Sequence, residues 1–172
     1  VFGLSFSTEL GYTNMLTALD LAGIPLAAES RGDQDPIVIA GGHAAFNPEP
    51  ISRFIDAAVL GDGEQAALDI TDCIASFKAD GSPGGRDALL GRLAEIEGVY
   101  VPSFYDVEYL PDGRIHRVVP NRPEAPWRVA KRTVMDLDEW PYPKAPLVPL
   151  AETVHERSSV EIFRGCTRGC RF

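Results

Sequence analysis

Three short runs of β-branched, aromatic and small apolar residues, Val1 to Ser7, Ile37-Val-Ile-Ala40 and Ala57-Ala-Val-Leu60, each give way to a turn and then to a helix-forming stretch. Runs of this length and composition suit strands buried on both faces. The first is followed by a predicted helix from about Glu9 to Ala22, carrying Leu10, Met15, Leu16 and Leu19, with Thr8 as its N-cap and Gly23 as its stop. After the second comes a short helix over Pro48 to Ile55, and after the third Gly61-Asp-Gly-Glu64 turns into a helix reaching Lys78. Strand and helix in alternation predict a parallel sheet with helices on its faces, a Rossmann-like α/β unit.

Beyond Gly81 the pattern changes. Ser82-Pro-Gly-Gly85 reads as a break, Asp87 to Glu97 as a helix and Gly98 to Pro102 as a brief extended stretch. Pro111-Asp-Gly113 between Tyr105–Leu110 and Arg114–Val119 is a hairpin signal. Prolines then recur from Pro120 to Pro149, which favours a connector wrapped over a neighbour, anchored by Trp127, Trp140 and Tyr142. The expected division is 1–81 for the Rossmann-like unit, 82–157 for helix, hairpin and connector, and 158–172 for the start of a further domain.

In an open parallel sheet ligands bind at the carboxyl ends of the strands. The loops expected there offer Ser5, Ser7, Gly41, Gly42, His43, Gly61, Gly63 and Glu64 as cofactor-binding candidates. Glycines after a strand let a ligand approach the backbone, and helix N-termini offer N–H groups to anions. The plainer account is a tight strand-to-helix turn at Gly-Gly, a turn or capping role for His43, and favourable placement of Glu64 at a helix start. Asp33 and Asp35 suit turn positions, Glu161 an outward or interdomain position, Cys73 a place in the core, and His116 and His155 the surface. No Ser–His–Asp order and no HExxH stands in the chain.

Near its end the sequence places Cys166 and Cys170 in a loop rich in Gly and Arg, after a strand-like run from Val160 to Phe163. Two thiolates at this spacing suit an iron–sulfur cluster, half of a zinc site or a redox pair. Gly165 and Gly169 give the loop freedom, and Arg164, Arg168 and Arg171 favour the thiolate form.

Composition narrows the setting. Of 172 residues 45% are hydrophobic and 24% charged, as in a globular protein. No apolar run is long enough for a membrane span, and Val1 to Ser7 lacks the basic start of a signal peptide. Three cysteines do not make a secreted disulfide framework, so a reducing cytoplasm is expected. A net charge of −9 argues against a nucleic-acid groove over most of the surface. Arginines gathered from Arg122 to Arg132 and Arg157 to Arg171 leave an RNA or other anionic substrate open.

The string Arg164-Gly-Cys-Thr-Arg-Gly-Cys-Arg-Phe172 resembles the RGCxxGCxFC form of the radical S-adenosylmethionine (SAM) signature. Ser5-Phe-Ser-Thr-Glu-Leu-Gly-Tyr-Thr-Asn14, Ile39-Ala-Gly-Gly42, Phe46-Asn-Pro-Glu-Pro50, Phe54-Ile-Asp56 and Gly61-Asp-Gly-Glu64 look like the N-terminal part of a bacterial subfamily of B12-binding-type radical SAM proteins. The resemblance implies a [4Fe-4S] cluster held by Cys166, Cys170 and a third cysteine just past Phe172, in the first strand and loop of a partial TIM barrel. It implies reductive cleavage of SAM to a 5′-deoxyadenosyl radical, an electron donor such as flavodoxin or ferredoxin, and a chain cut at both ends and inactive by itself. The DxHxxG loop of cobalamin domains does not occur here: either it lies upstream of Val1 or the domain is a degenerate relative that does not bind cobalamin, and for His43 a turn or capping role outweighs that of a substitute cobalt ligand. The competing expectation is a Rossmann-like module that docks cobalamin, a nucleotide or a partner protein without catalysing anything.

Overall fold

Apolar residues of both parities line the central strands, and the chain covers both faces of the sheet they form. The computed structural model describes residues 1–142, 144 and 160–169. These fall into two units, Val1–Thr133 and Val134–Phe172. In the first unit β1 (Phe2–Ser5), β2 (Val38–Gly41) and β3 (Ala57–Val59) run parallel, and β4 (Val99–Tyr100) pairs antiparallel with β3. The order is β1-β2-β3-β4, without reversal among the described residues. The segment Gly98 to Pro102, read from sequence only as an extended stretch, thus supplies the fourth strand, which makes the sheet mixed.

The pleat sorts the side chains. Ile37, Ile39, Ala57, Val99 and Val101 face one cluster; Val38, Ala40, Ala58 and Tyr100 face another. On the first face lie α2 (Gly63–Ala79), through Ile70, Ile74 and Phe77, and α3 (Gly85–Ala94), through Leu89, Leu90 and Leu93. Ile70, Ile74 and Phe77 recur at helical spacing, as one buried stripe requires. Asp80 and Gly81 end α2, and Gly81 takes a positive φ of 82°. On the second face lie α1 (Tyr12–Leu21), through Met15 and Leu19, and one-turn 3-10 helices at His43–Phe46 and Glu49–Ile51. Burying each large aliphatic side chain contributes about 1.5–3 kcal/mol. Leu93, fully buried between α3 and the sheet, is the α3 position where truncation to Ala would leave the largest void.

The first helix starts later than its sequence pattern implies. Thr8 caps a 3-10 turn, Glu9–Gly11, without a side-chain hydrogen bond, and Leu10 on that turn is exposed. The hairpin forms as expected, with β5 (Tyr105–Tyr109) antiparallel to β6 (Ile115–Pro120). Trp127 and Tyr142 are exposed instead of anchoring the connector; Ala125 is buried in one cluster and half-buried Val129 packs against the other.

In the second unit, the described part of Val160 to Gly169 holds no strand. Val160, Ile162 and Phe163 are exposed, and no ladder partner for them exists among the described residues. A strand needs a neighbour to satisfy its backbone groups, and the sequence pattern alone does not supply one.

Candidate functional site

The loops at the carboxyl ends of β1, β2 and β3 hold the residues singled out from sequence. Ser5 and Ser7 are exposed on either side of buried Phe6. Phe6 N–H donates to the Gly41 carbonyl at 2.8 Å, and Ala44 N–H donates back to the Phe6 carbonyl at 3.2 Å. Gly42, at φ 89°, makes this crossing possible: a Cβ there would stand 2.5 Å from the Phe6 oxygen and 2.9 Å from its nitrogen. The Phe6 ring meets Tyr12 edge-on at 5.4 Å, and Tyr12 donates from its hydroxyl to the Ala44 and Asn47 carbonyls. His43 is exposed at the start of its 3-10 turn.

Gly61 is shaped by a segment distant in sequence. At φ 108° it forms a parallel bridge with Arg132, and a Cβ would collide with the Arg132 carbonyl oxygen and stand 2.6 Å from its nitrogen. Arg132 N–H donates to Leu60 O at 2.9 Å, Asp62 N–H donates to Arg132 O at 2.9 Å, and Leu60 N–H reaches Gly98 O at 2.7 Å. The Arg132 guanidinium grips Asp69 on α2 at 2.5 Å. Asp69 also accepts from Gln65 Nε2 at 2.7 Å; that bond first, and then Arg132, hold its carboxyl below the usual range. Gly63 opens α2 with open space about it, and Glu64 stands in the first turn. The eight carboxyl-edge candidates therefore lie along one edge, but Gly42 and Gly61 are already in contact with the chain's own backbone.

A second constellation, at the opposite edge, escaped the sequence reading. Asp56, just before β3, is buried and accepts from Val38 N–H at 2.7 Å, Arg31 Nη1 at 2.9 Å and Arg86 Nη2 at 2.7 Å. Arg31 spends its other donors on the carbonyls of Pro25, Leu26 and Phe54. Arg86 ties Asp35 and Pro36 to the start of α3, and Asp33 accepts its backbone N–H at 2.6 Å. Beside the cluster lies a cavity of about 560 Å³, bordered by Glu49, Arg53, Tyr100 and Tyr105. Tyr100 donates to Glu49 Oε1 at 2.6 Å, and burial first, then that carboxylate, push its hydroxyl pKa far up. The sequence signal was an aspartate directly before an apolar strand run, Phe54-Ile-Asp-Ala-Ala-Val59, where a buried charge needs partners.

In the second unit, Gly165 takes a positive φ of 74° and presents Cys166 as an exposed free thiol. Arg164 pairs with Glu161 through bonds of 2.7 and 3.0 Å. Cys170 and His155 lie outside the described residues. Among the described residues no three His, Cys, Asp or Glu side chains converge as a metal site. The donor set suits an iron–sulfur cluster in kind, since both conspicuous donors are thiols. Cys73, by contrast, is half-buried against α2's cluster, where desolvation raises its thiol pKa; it behaves as a core residue. His116 is exposed on β6.

Fold and loops define a mixed α/β domain with helices on both faces, ahead of a cysteine-bearing segment. The family described as radical SAM proteins, N-terminal, matches residues 1–102, and the chain belongs to that family. The matched span covers the whole four-stranded sheet with α1, α2 and α3 and stops just beyond β4. No curated protein and no solved structure matches the chain. Membership points to a radical SAM enzyme and, through it, to a [4Fe-4S] cluster and SAM. No helix among the described residues is long and apolar enough to cross a membrane.

Proposed function

We infer that this chain provides the accessory α/β domain, the connector and the cluster loop of a radical SAM enzyme, with Cys166 and Cys170 as two of the cluster's thiolate ligands. The observation that carries this reading is the order within one chain: a domain matched by the N-terminal family of radical SAM proteins, then Arg164-Gly-Cys-Thr-Arg-Gly-Cys170 downstream. A third thiolate completes the set. When bound, the cluster supplies the electron that splits SAM into methionine and a 5′-deoxyadenosyl radical, which takes a hydrogen atom from substrate. The chain's own residues have narrower tasks. Gly165, at a positive φ of 74°, turns the backbone ahead of Cys166 and leaves its thiol exposed. A flavodoxin or ferredoxin as electron donor and a reducing cytoplasm complete the proposal.

The test is anaerobic reconstitution of the full-length protein with iron and sulfide, followed by ultraviolet–visible and EPR spectra with and without SAM. The expected result is a [4Fe-4S] signal that shifts with SAM and is lost in a Cys166→Ala/Cys170→Ala variant. Binding of zinc, or no binding of iron, overturns the reading and leaves a binding module.

A further inference from the structure

We propose that the carboxyl edge of this sheet is occupied by the protein itself, with Val129–Arg132 and the Phe6–Gly42 crossing as its permanent occupants, so that the domain binds neither cobalamin nor a nucleotide there. A doubly wound sheet takes such ligands in a crevice at its carboxyl edge, where the strand order reverses. Among the described residues the order runs β1-β2-β3-β4 without reversal, so those strands open no such crevice.

Three independent features close the edge. The glycines that would let a ligand approach the backbone are used by backbone instead: Phe6 fills the space at Gly42, and Arg132 fills it at Gly61. Donors that would meet a phosphate are spent, with Ala44 N–H on Phe6 O and Asp62 N–H on Arg132 O. The start of α2, where an anion would gain from the helix dipole, instead carries Asp62 at the N-cap and Glu64 in the first turn, so the chain's own carboxylates stand where the anion would. Val129 packs with Leu60 against the α1-side cluster, and Arg132 holds Asp69, so the strap is fastened by apolar contact, backbone and charge together.

The role left to this edge is mechanical. It fastens the stretch leading to Thr133, the end of the first unit, to β3 and α2, and so sets where the connector departs from the sheet.

The decisive experiment incubates the full-length protein with hydroxocobalamin and separates it by gel filtration, reading corrin absorbance against protein. The expected result is less than about one-tenth equivalent retained at micromolar protein, where a site of roughly nanomolar affinity would retain most of an equivalent. Stoichiometric retention overturns the proposal. Hydrogen exchange on the cobalamin-free protein tests the strap directly: the Asp62 and Arg132 amides are expected to exchange at least about 100-fold slower than in an unfolded chain. Unprotected amides at these two positions also overturn it. Neither readout depends on an iron–sulfur cluster, so the cluster reading stands or falls separately.

Discussion

The two edges of one sheet are held together by opposite means. At the amino edge, side chains do it: one buried carboxylate, Asp56, binds two guanidinium groups and a strand N–H, and the arginines bind loop carbonyls in turn. At the carboxyl edge, backbone does it: glycines at positive φ admit Phe6 and Arg132 to distances that any Cβ would forbid. The lesson is that charge organises long, polar loops, which have many carbonyls to satisfy, whereas close packing of chain on chain needs the absence of a side chain.

The largest expected effect breaks the charged edge. Asp56→Ala strands Arg31 and Arg86 beside each other without their shared partner, and a loss of about 3–5 kcal/mol in urea unfolding is expected. A loss below about 1 kcal/mol would mean that the two guanidinium groups are solvated and the edge has no keystone.

The backbone edge is probed by a matched pair. Gly61→Ala forces a Cβ into Arg132 at a left-handed φ and should cost about 1–3 kcal/mol. Gly63→Ala, two residues on with open space around it, should be neutral or stabilising by up to about 1 kcal/mol. Equal effects from the two variants would mean that the approach of Arg132 does not set the need for glycine at the carboxyl edge.

A smaller effect sharpens the comparison through pH. The folded-state pKa of Asp69 is depressed, so its contribution is present above the ordinary carboxylate pKa of about 3.9 and fades as pH falls through the lower folded value. Asp69→Asn should therefore lower the midpoint of thermal unfolding slightly near pH 7, as befits a partly exposed pair worth about 1 kcal/mol or less. The gap to wild type should close in strongly acid buffer; a gap that persists there would assign the effect to shape instead of charge. Smallest of all, Cys166→Ala should leave unfolding unchanged within about 0.5 kcal/mol, because the thiol is exposed and packs against nothing that the fold requires. A larger change would give Cys166 a structural part.

Much of the sheet is legible in the sequence alone. The runs Ile37–Ala40 and Ala57–Leu60 announce buried strands, and the stripe that ends in Phe77 announces α2, because local composition and period carry that information. The hairpin was legible for the same reason: a short-range turn signal sets it. Val99 and Tyr100 were harder, since a two-residue strand has no period to read and its assignment rests wholly on pairing with Ala58 and Val59. Gly42 and Gly61 stood out in the sequence as glycines after strands, suited to the approach of a ligand or to a tight turn. That the visitor is Phe6 in one case and Arg132 in the other is a fact of tertiary contact. Trp127 misled for a related reason, because a large aromatic in a proline-rich stretch suggests an anchor, whereas in the fold Ala125 and Val129 make the apolar contacts.

By itself, then, the order of residues determined where the three parallel strands, the α2 helix and the hairpin arise, because those depend on propensity and period within a few residues. Tertiary structure alone decided that Asp56 gathers Arg31 and Arg86 and that Arg132 lies against Gly61. Each of these pairings joins residues far apart in the chain, and only the folded arrangement sets which groups are desolvated together and must satisfy one another.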